Sequence, residues 1–456
     1  MQDRRHSSTP AAVRQRAARR SSVGRAGRRV EHRRGLATGL LILTLVFLSG
    51  LVALGINTAR LCTVRAELQA ACEASALAGA AELMDENLLF GQADSRDDVL
   101  MAREMARLTG LRNQVDGREF RLDPNHDNAP TGDVVVGTLD PLAPAGTVLG
   151  IPTNPAAPGD VNTVRVSGRV SRNIYNTVSL AIGGLTGVTT ADPAVAVQAT
   201  LDQRVVGFRP ERGVKAPILP LVAEYESWIK QSTAEVVAGK NDNYGVNPVT
   251  GEVTFGPDGI PELVFVSGAP KADAKAAAEV GENGAPGTAE ENKDAQDGAA
   301  AEESQPATPG WCYVPQLTNE LNIDYVWPVR VREGLSRGDL APYGGELVVV
   351  GTLPMPALPQ MPAEMGYTLM EILGQTRVWP LADAAATDGE ATDGEATVCD
   401  VVGFAAGRIV RVGRGSGESN DTWEIVVQPT TMVSSQAVTA AGAPRNPWIG
   451  KLELTQ

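Results

Sequence analysis

The longest apolar run lies near the start of the chain. Leu36 to Ile56 reads LATGLLILTLVFLSGLVALGI, twenty-one residues without a charge, thirteen of them Leu, Ile, Val or Phe. At about 1.5 Å per residue, a helix of that length spans roughly 31 Å, the thickness of a bilayer core. The apolar pattern then changes without a helix breaker. Asn57 to Leu83 contains no Pro, and small residues recur at every fourth position: Ala66, Ala70, Ala74 and Ala78. Ala71, Ser75 and Gly79 repeat the same spacing. Stripes of this kind let another backbone approach closely, whether from a partner helix or from the chain's own sheet. One helix of roughly fifty residues is predicted, membrane-spanning in its first half and small-faced in its second.

Further on, the periodicity predicts one more helix and then strands. Val99, Ala102 and Ala106 share a face between Ser95 and Thr109, with Ser95 and Asp98 as a capping box and Gly110 as a stop. Val134–Leu139, Asn162–Val170 and Val195–Leu201 alternate as strands. After Phe208, Pro220 opens a predicted helix through Val222, Tyr225 and Ile229. A hairpin is expected between Glu252–Phe255 and Glu262–Val266 around Pro257-Asp258-Gly259. Leu347–Leu353, Arg408–Val412 and Trp423–Val427 read as strands, and Thr368–Leu373 as a short helix with a Thr368/Glu371 cap. Residues 269–310 hold nine acidic residues and three Lys amid Ala, Gly and Pro, the composition of a solvated linker. The tandem ATDGE repeat makes 384–397 a second insert of the same kind.

Charge gives the apolar segment a direction. Residues 1–34 carry eleven Arg against Asp3 and Glu31, and should form a disordered basic tail, whereas the rest of the chain has 29 basic and 52 acidic residues. Basic residues crowding one flank hold that flank in the cytoplasm. The chain is therefore expected to be a single-pass protein of the cytoplasmic membrane, with its N-terminus inside and its C-terminal body outside. A cleaved signal peptide is the competing reading, with Ala53-Leu54-Gly55 as the cleavage site. The acidic body argues against nucleic acid as a partner.

Candidate chemistry is sparse. Of three His, only His126 lies beyond the tail, and no nucleotide-binding, zinc-protease or serine-hydrolase motif occurs. Asp123, Asn125, Asp127 and Asp133 alternate like calcium ligands but lack the sixth-position Gly and twelfth-position carboxylate, so a polar turn is expected there. No cofactor or small-molecule substrate is indicated. Cys312 and Cys399 either pair in an oxidising compartment or stand as small buried residues. With aromatics at 4%, the cores are expected to be aliphatic.

The stretch from Arg33 to Leu83 resembles the N-terminal segment of TadE/TadG-like Flp (tight-adherence) pilus-assembly proteins. The resemblance rests on an Arg-Gly start, a membrane helix, Arg60-Leu61, Leu68-Gln69-Ala70-Ala71, an acidic Glu73 where Asp is usual, and Ala76-Leu77-Ala78. Asn57 stands where the family often has Asp. The fifth residue after Gly35 is Leu40, not the Glu that pilin processing uses, so the resemblance implies an uncleaved TadG-like anchor. It also implies a pilin-like helix-on-sheet domain over 57–207, partners among pilus-assembly or pilin-like subunits, and a non-enzymatic role. Residues 208–456 are expected to form a β-rich barrel or sandwich outside the membrane, making the whole an α+β protein. The alternative function is a tethered hydrolase acting on cell wall or glycan, which would need convergent carboxylates or a metal in that second domain.

Overall fold

The computed structural model describes residues 31–84, 86, 89, 95–144, 146–152, 161–170, 177–180, 189–232, 241–247, 250–268, 309–317, 323–358, 360–383, 397–415 and 422–455. The basic tail lies outside the described residues up to position 30, as do 269–308 of the linker and 384–396 of the second insert. The fold is α+β. The chain forms two units, residues 1–61 with 179–191 and residues 62–178 with 192–456.

Helix α1 runs unbroken from Glu31 to Ala81. Within its apolar half, the hydroxyls of Thr44, Ser49 and Thr58 donate to the carbonyls of Leu40, Val46 and Leu54 at 2.8–2.9 Å. Each polar side chain is thus satisfied by its own helix, as an apolar solvent requires. Helix α2 (Ser95–Arg112) continues two residues past Gly110 and buries Val99, Ala102 and Ala106, the predicted face.

The strands that follow are β1 (Val134–Gly137), β2 (Thr163–Arg169), β3 (Ala194–Asp202), β4 (Val205–Phe208) and β5 (Val222–Glu224). Helix α3 (Tyr225–Ser232) leads to β6 (Leu263–Ser267) and β7 (Gly310–Pro315). Helix α4 (Ile323–Glu333), β8 (Leu347–Val348), β9 (Leu353–Leu358) and helix α5 (Ala363–Met370) come next. The chain closes with β10 (Thr376–Asp383), β11 (Thr397–Arg414), β12 (Trp423–Thr430), β13 (Met432–Val433), β14 (Ala437–Thr439) and β15 (Ile449–Thr455).

The first sheet has the order β13-β15-β3-β2-β1. Val164 and Val166 of β2 are fully buried, and a Cβ on Gly168 would lie 2.5 Å from Cys72 Sγ and 2.9 Å from Leu68 Cδ1 of α1. A Cβ on Gly79 would lie 2.7 Å from the Ala102 carbonyl of α2. Helices and sheet therefore meet at glycines, where no larger residue fits. The sheet is not built from 57–207 alone. Its central pair is β3 with β15, from Lys451↔Asp202 to Thr455↔Gln198, so the last strand of the chain completes the first sheet. Thr163, Thr200 and Thr455 join three strands through hydroxyl contacts of 3.0 Å. The expected boundary at 207/208 therefore does not separate the sheets.

The second half closes into a barrel. The pairings β6–β12, β12–β11, β11–β10, β10–β5, β5–β7 and β7–β6 return to their starting strand, with β9 bridging β7 and β11. Strand β11 makes this closure: its eighteen residues pair in turn with β9, β10 and β12, with register shifts at Leu381/Ala382 and Ile409/Arg411. Bulges of this kind bend a strand enough to close a small barrel. The barrel core departs from the aliphatic expectation. Trp228 stacks on Phe265 with 5.7 Å between ring centroids, and Trp379 lies 6.0 Å from Trp228. All six Trp of the chain lie beyond residue 208, so a low overall aromatic content is concentrated in one core.

Local readings change for physical reasons. The segment after Pro220 begins as strand β5, and α3 starts only at Tyr225. Pro362 opens α5 six residues before Thr368, whose hydroxyl donates to the Glu364 carbonyl instead of capping. The expected hairpin does not form: Val253–Phe255 pairs with Tyr244–Val246, while β6 enters the barrel. Carboxylates direct this. Asp242 accepts from the backbone N–H groups of Asp258 and Gly259, and Glu262 from those of Asn243 and Tyr244, all near 2.9 Å. Glu262 is 2% exposed; burial, then the nearby Asp242 and Asp258, push its carboxyl up to about 7 against those N–H donors.

Two outcomes are expected. Gly168→Val should destabilise the full-length protein in detergent by about 1–3 kcal/mol, read as a lowered denaturant midpoint, because Cys72 and Leu68 cannot retreat. Because Glu262 holds its proton more tightly when folded, its contribution is fully present below its ordinary value of 4.5 and is lost as pH rises toward 7. The midpoint should therefore fall between about pH 5 and about pH 8, and Glu262→Gln should flatten that dependence.

Candidate functional site: the N-terminal helix

The functional candidate with the clearest physical signature is α1. Twelve large apolar side chains from Leu40 to Ile56 are 50–70% exposed. In water, each exposed Leu, Ile, Val or Phe of this size forgoes roughly 1.5–3 kcal/mol of burial, and a continuous surface of this kind calls for another apolar phase. Among the described residues, α1 is the one helix long and apolar enough to cross a membrane by length and composition.

Beyond Leu61 the same helix changes character. Val64, Leu68, Ala71, Cys72, Ser75, Ala76 and Ala80 are buried, a spacing of three and four that turns one face to the protein. The two small-residue stripes consequently have different fates. Ala71, Ser75 and Gly79 lie on the buried face. Ala66 and Ala70 are exposed, and Ala74 and Ala78 are half-buried, so the stripe named first lies outside that contact.

The family-like residues divide in the same way. Leu68 and Ala76 are fully buried and hold the helix to its sheet. Gln69 is exposed and donates to Glu73 Oε1 at 2.8 Å, an i,i+4 pair on the outer surface. Leu61, Leu77 and Ala78 are half-buried. Arg60 donates to the carbonyl of Ser179 at 3.2 Å. Spacing alone could not separate packing from display, because both stripes repeat every four residues.

The other candidates have structural roles. Asn125 and Asn128 adopt positive φ values of 56° and 52°. The Asn125 amide donates to the carbonyls of Ala129 and Val134, and Asn128 exchanges two hydrogen bonds with Val136, so this segment is stapled to β1 by asparagines. Among the described residues, no group of three or more His, Cys, Asp or Glu could hold a metal ion. The Cys312–Cys399 pairing is not formed, and all four thiols are free. Cys399 pairs with Met355 on β9, and Cys312 lies on β7 beyond it. Two strand spacings are about 9–10 Å, past the roughly 7 Å limit between bridged Cα atoms. Burial pushes the thiols of Cys72, Cys312 and Cys399 up to about 12, which makes them unreactive.

These features, an apolar exposed half followed by an amphipathic small-residue half on one unbroken helix, coincide with a known segment. Residues 35–82 match the family described as putative Flp pilus-assembly TadE/G-like. The match starts at the Gly before the apolar run and ends one residue past Ala81, so the TadE/G-like segment is α1 itself. Neither the curated proteins nor the solved structures contain a match to the chain.

The outer pair of the TadE/G-like segment is expected to matter little for folding. An exposed i,i+4 pair contributes about 0.2–0.5 kcal/mol. Glu73→Ala should therefore leave the denaturant midpoint of the full chain within about 0.5 kcal/mol of wild type; a larger loss would assign Glu73 a structural role.

Proposed function

We propose that this is a non-enzymatic, single-pass component of a Tad/Flp-type pilus-assembly or adhesion machine. Helix α1 anchors it in the cytoplasmic membrane. The Arg-rich N-terminus stays in the cytoplasm, and the body beyond Leu61 lies on the other side. The observation that carries the reading is the coincidence of the TadE/G-like match with a helix that exposes twelve large apolar side chains. The excess of Arg before residue 35 supports the direction of insertion.

In this reading the body contributes contacts, not chemistry. Residues 57–207 together with the returning C-terminal strand form the helix-on-sheet part, and the barrel forms the rest. The stripe Ala66, Ala70, Ala74 and Ala78 faces other pilus-assembly or pilin-like subunits, whose helices approach closely where side chains are small.

Ala66→Leu with Ala70→Leu tests this. The two residues are exposed, so the double variant should keep the wild-type denaturant midpoint while losing the pilus-assembly subunits that co-purify with the wild-type protein from membranes. Unchanged co-purification together with normal pilus assembly would overturn the role given to this face.

A further inference from the structure

Ala53 is an exception on the apolar half of α1. Its neighbours Val52 and Leu54 are 60% and 62% exposed, but Ala53 is 5% exposed. Asn57 and Leu61, four and eight residues further along, lie on the same face and are half-buried. A strip of α1 that begins inside the apolar segment is therefore covered.

The strip belongs to a small unit, residues 1–61 with 179–191. In that unit, Ser179–Leu180 and Thr189–Ala191 are tied to α1 at Arg60. Arg60 Nη1 donates to the Ser179 carbonyl at 3.2 Å, and Leu180 N donates to the Thr189 carbonyl at 3.0 Å, joining two arms of a hairpin. No charged side chain occurs between Arg172 and Asp192.

We propose that this hairpin is a second membrane contact. Its arms, Ser179–Leu180 and Thr189–Ala191, are held at Arg60 and meet the lipid boundary next to the span. This rests on the reading that α1 crosses the membrane. The chemistry fits a bilayer surface. Arg60 is four residues past Ile56, about 6 Å along the axis, at the depth where a long cationic side chain reaches the headgroups. Its bond to Ser179 and the Leu180–Thr189 bond satisfy backbone groups that water could not reach. Ser179, Thr189 and Thr190 are polar without charge, and the absence of charge from 173 to 191 removes the largest cost of contact with lipid.

The test uses the full chain carrying Cys62→Ala, which removes the exposed thiol and leaves three buried ones. Single cysteines are introduced as Leu180→Cys, Leu48→Cys and Val350→Cys, the last at an 84% exposed position in the loop before β9. Each is labelled with a polarity-sensitive fluorophore and reconstituted into phosphatidylcholine/phosphatidylglycerol vesicles containing acyl-chain spin-labelled lipid. The Leu180 label should be quenched several-fold more than the Val350 label and approach the Leu48 label. Quenching at Leu48 with none at Leu180 would overturn the hairpin contact and leave the anchor standing. No quenching at Leu48 would overturn the anchor and the hairpin contact with it.

Discussion

An unbroken ladder of backbone hydrogen bonds from Glu31 to Ala81 is the constraint on which the rest of the structure depends. A helix satisfies its own amides, so the same backbone can serve in lipid and in water. Only the side chains need to change. In the first half the hydroxyls of Thr44, Ser49 and Thr58 are turned back onto carbonyls one turn earlier, and the exposed surface is apolar. In the second half the side chains shrink along one face until α2 and β2 meet the helix at Gly79 and Gly168. A Pro or a wide side chain at that face would move the helix off its sheet.

The two sheets of the body are interlocked. The strand Ile449–Thr455 completes the sheet that α1 and α2 cover, although most of the chain between is spent on the barrel. Glu86, just after α1, binds Arg408 of β11 and Thr430 of β12, so the first domain's connection is held by an ion pair of the second. A partly buried pair of this kind is costly to break from one side, because the remaining charge loses its partner. The barrel and the helix-on-sheet part consequently share one cooperative structure.

The acidic body reads as solvated surface in the sequence, and much of it is. The exceptions are carboxylates that organise backbone. Asp242, Asp258 and Glu262 sit together because each accepts from N–H groups or from the Gln428 amide, which decides where the 252–267 chain pairs. The Asp123–Asp133 segment follows the same logic with asparagines, whose amides mimic a strand edge against β1. Polar residues spaced like metal ligands are here spaced by the repeat of the backbone they bind.

Patterns carried by neighbours in sequence were legible without the structure. The apolar run from Leu36 to Ile56, the helix beyond it, the TadE/G-like string and the alternation of β1, β2 and β3 each depend on periods of 2 or 3.6 within a few turns. Tertiary structure alone decided the rest. Whether Ala70 or Ala71 meets the sheet, whether Glu262 turns a hairpin or anchors a loop, and which sheet Ile449–Thr455 joins depend on residues tens to hundreds of positions away. The same holds for the barrel, which closes only because β11 pairs with three strands in succession, and for the thiols of Cys312 and Cys399, kept apart by the strand between them. Local periodicity determines which face of an element is apolar; the partner that covers that face is selected by long-range packing, which no short window of sequence contains.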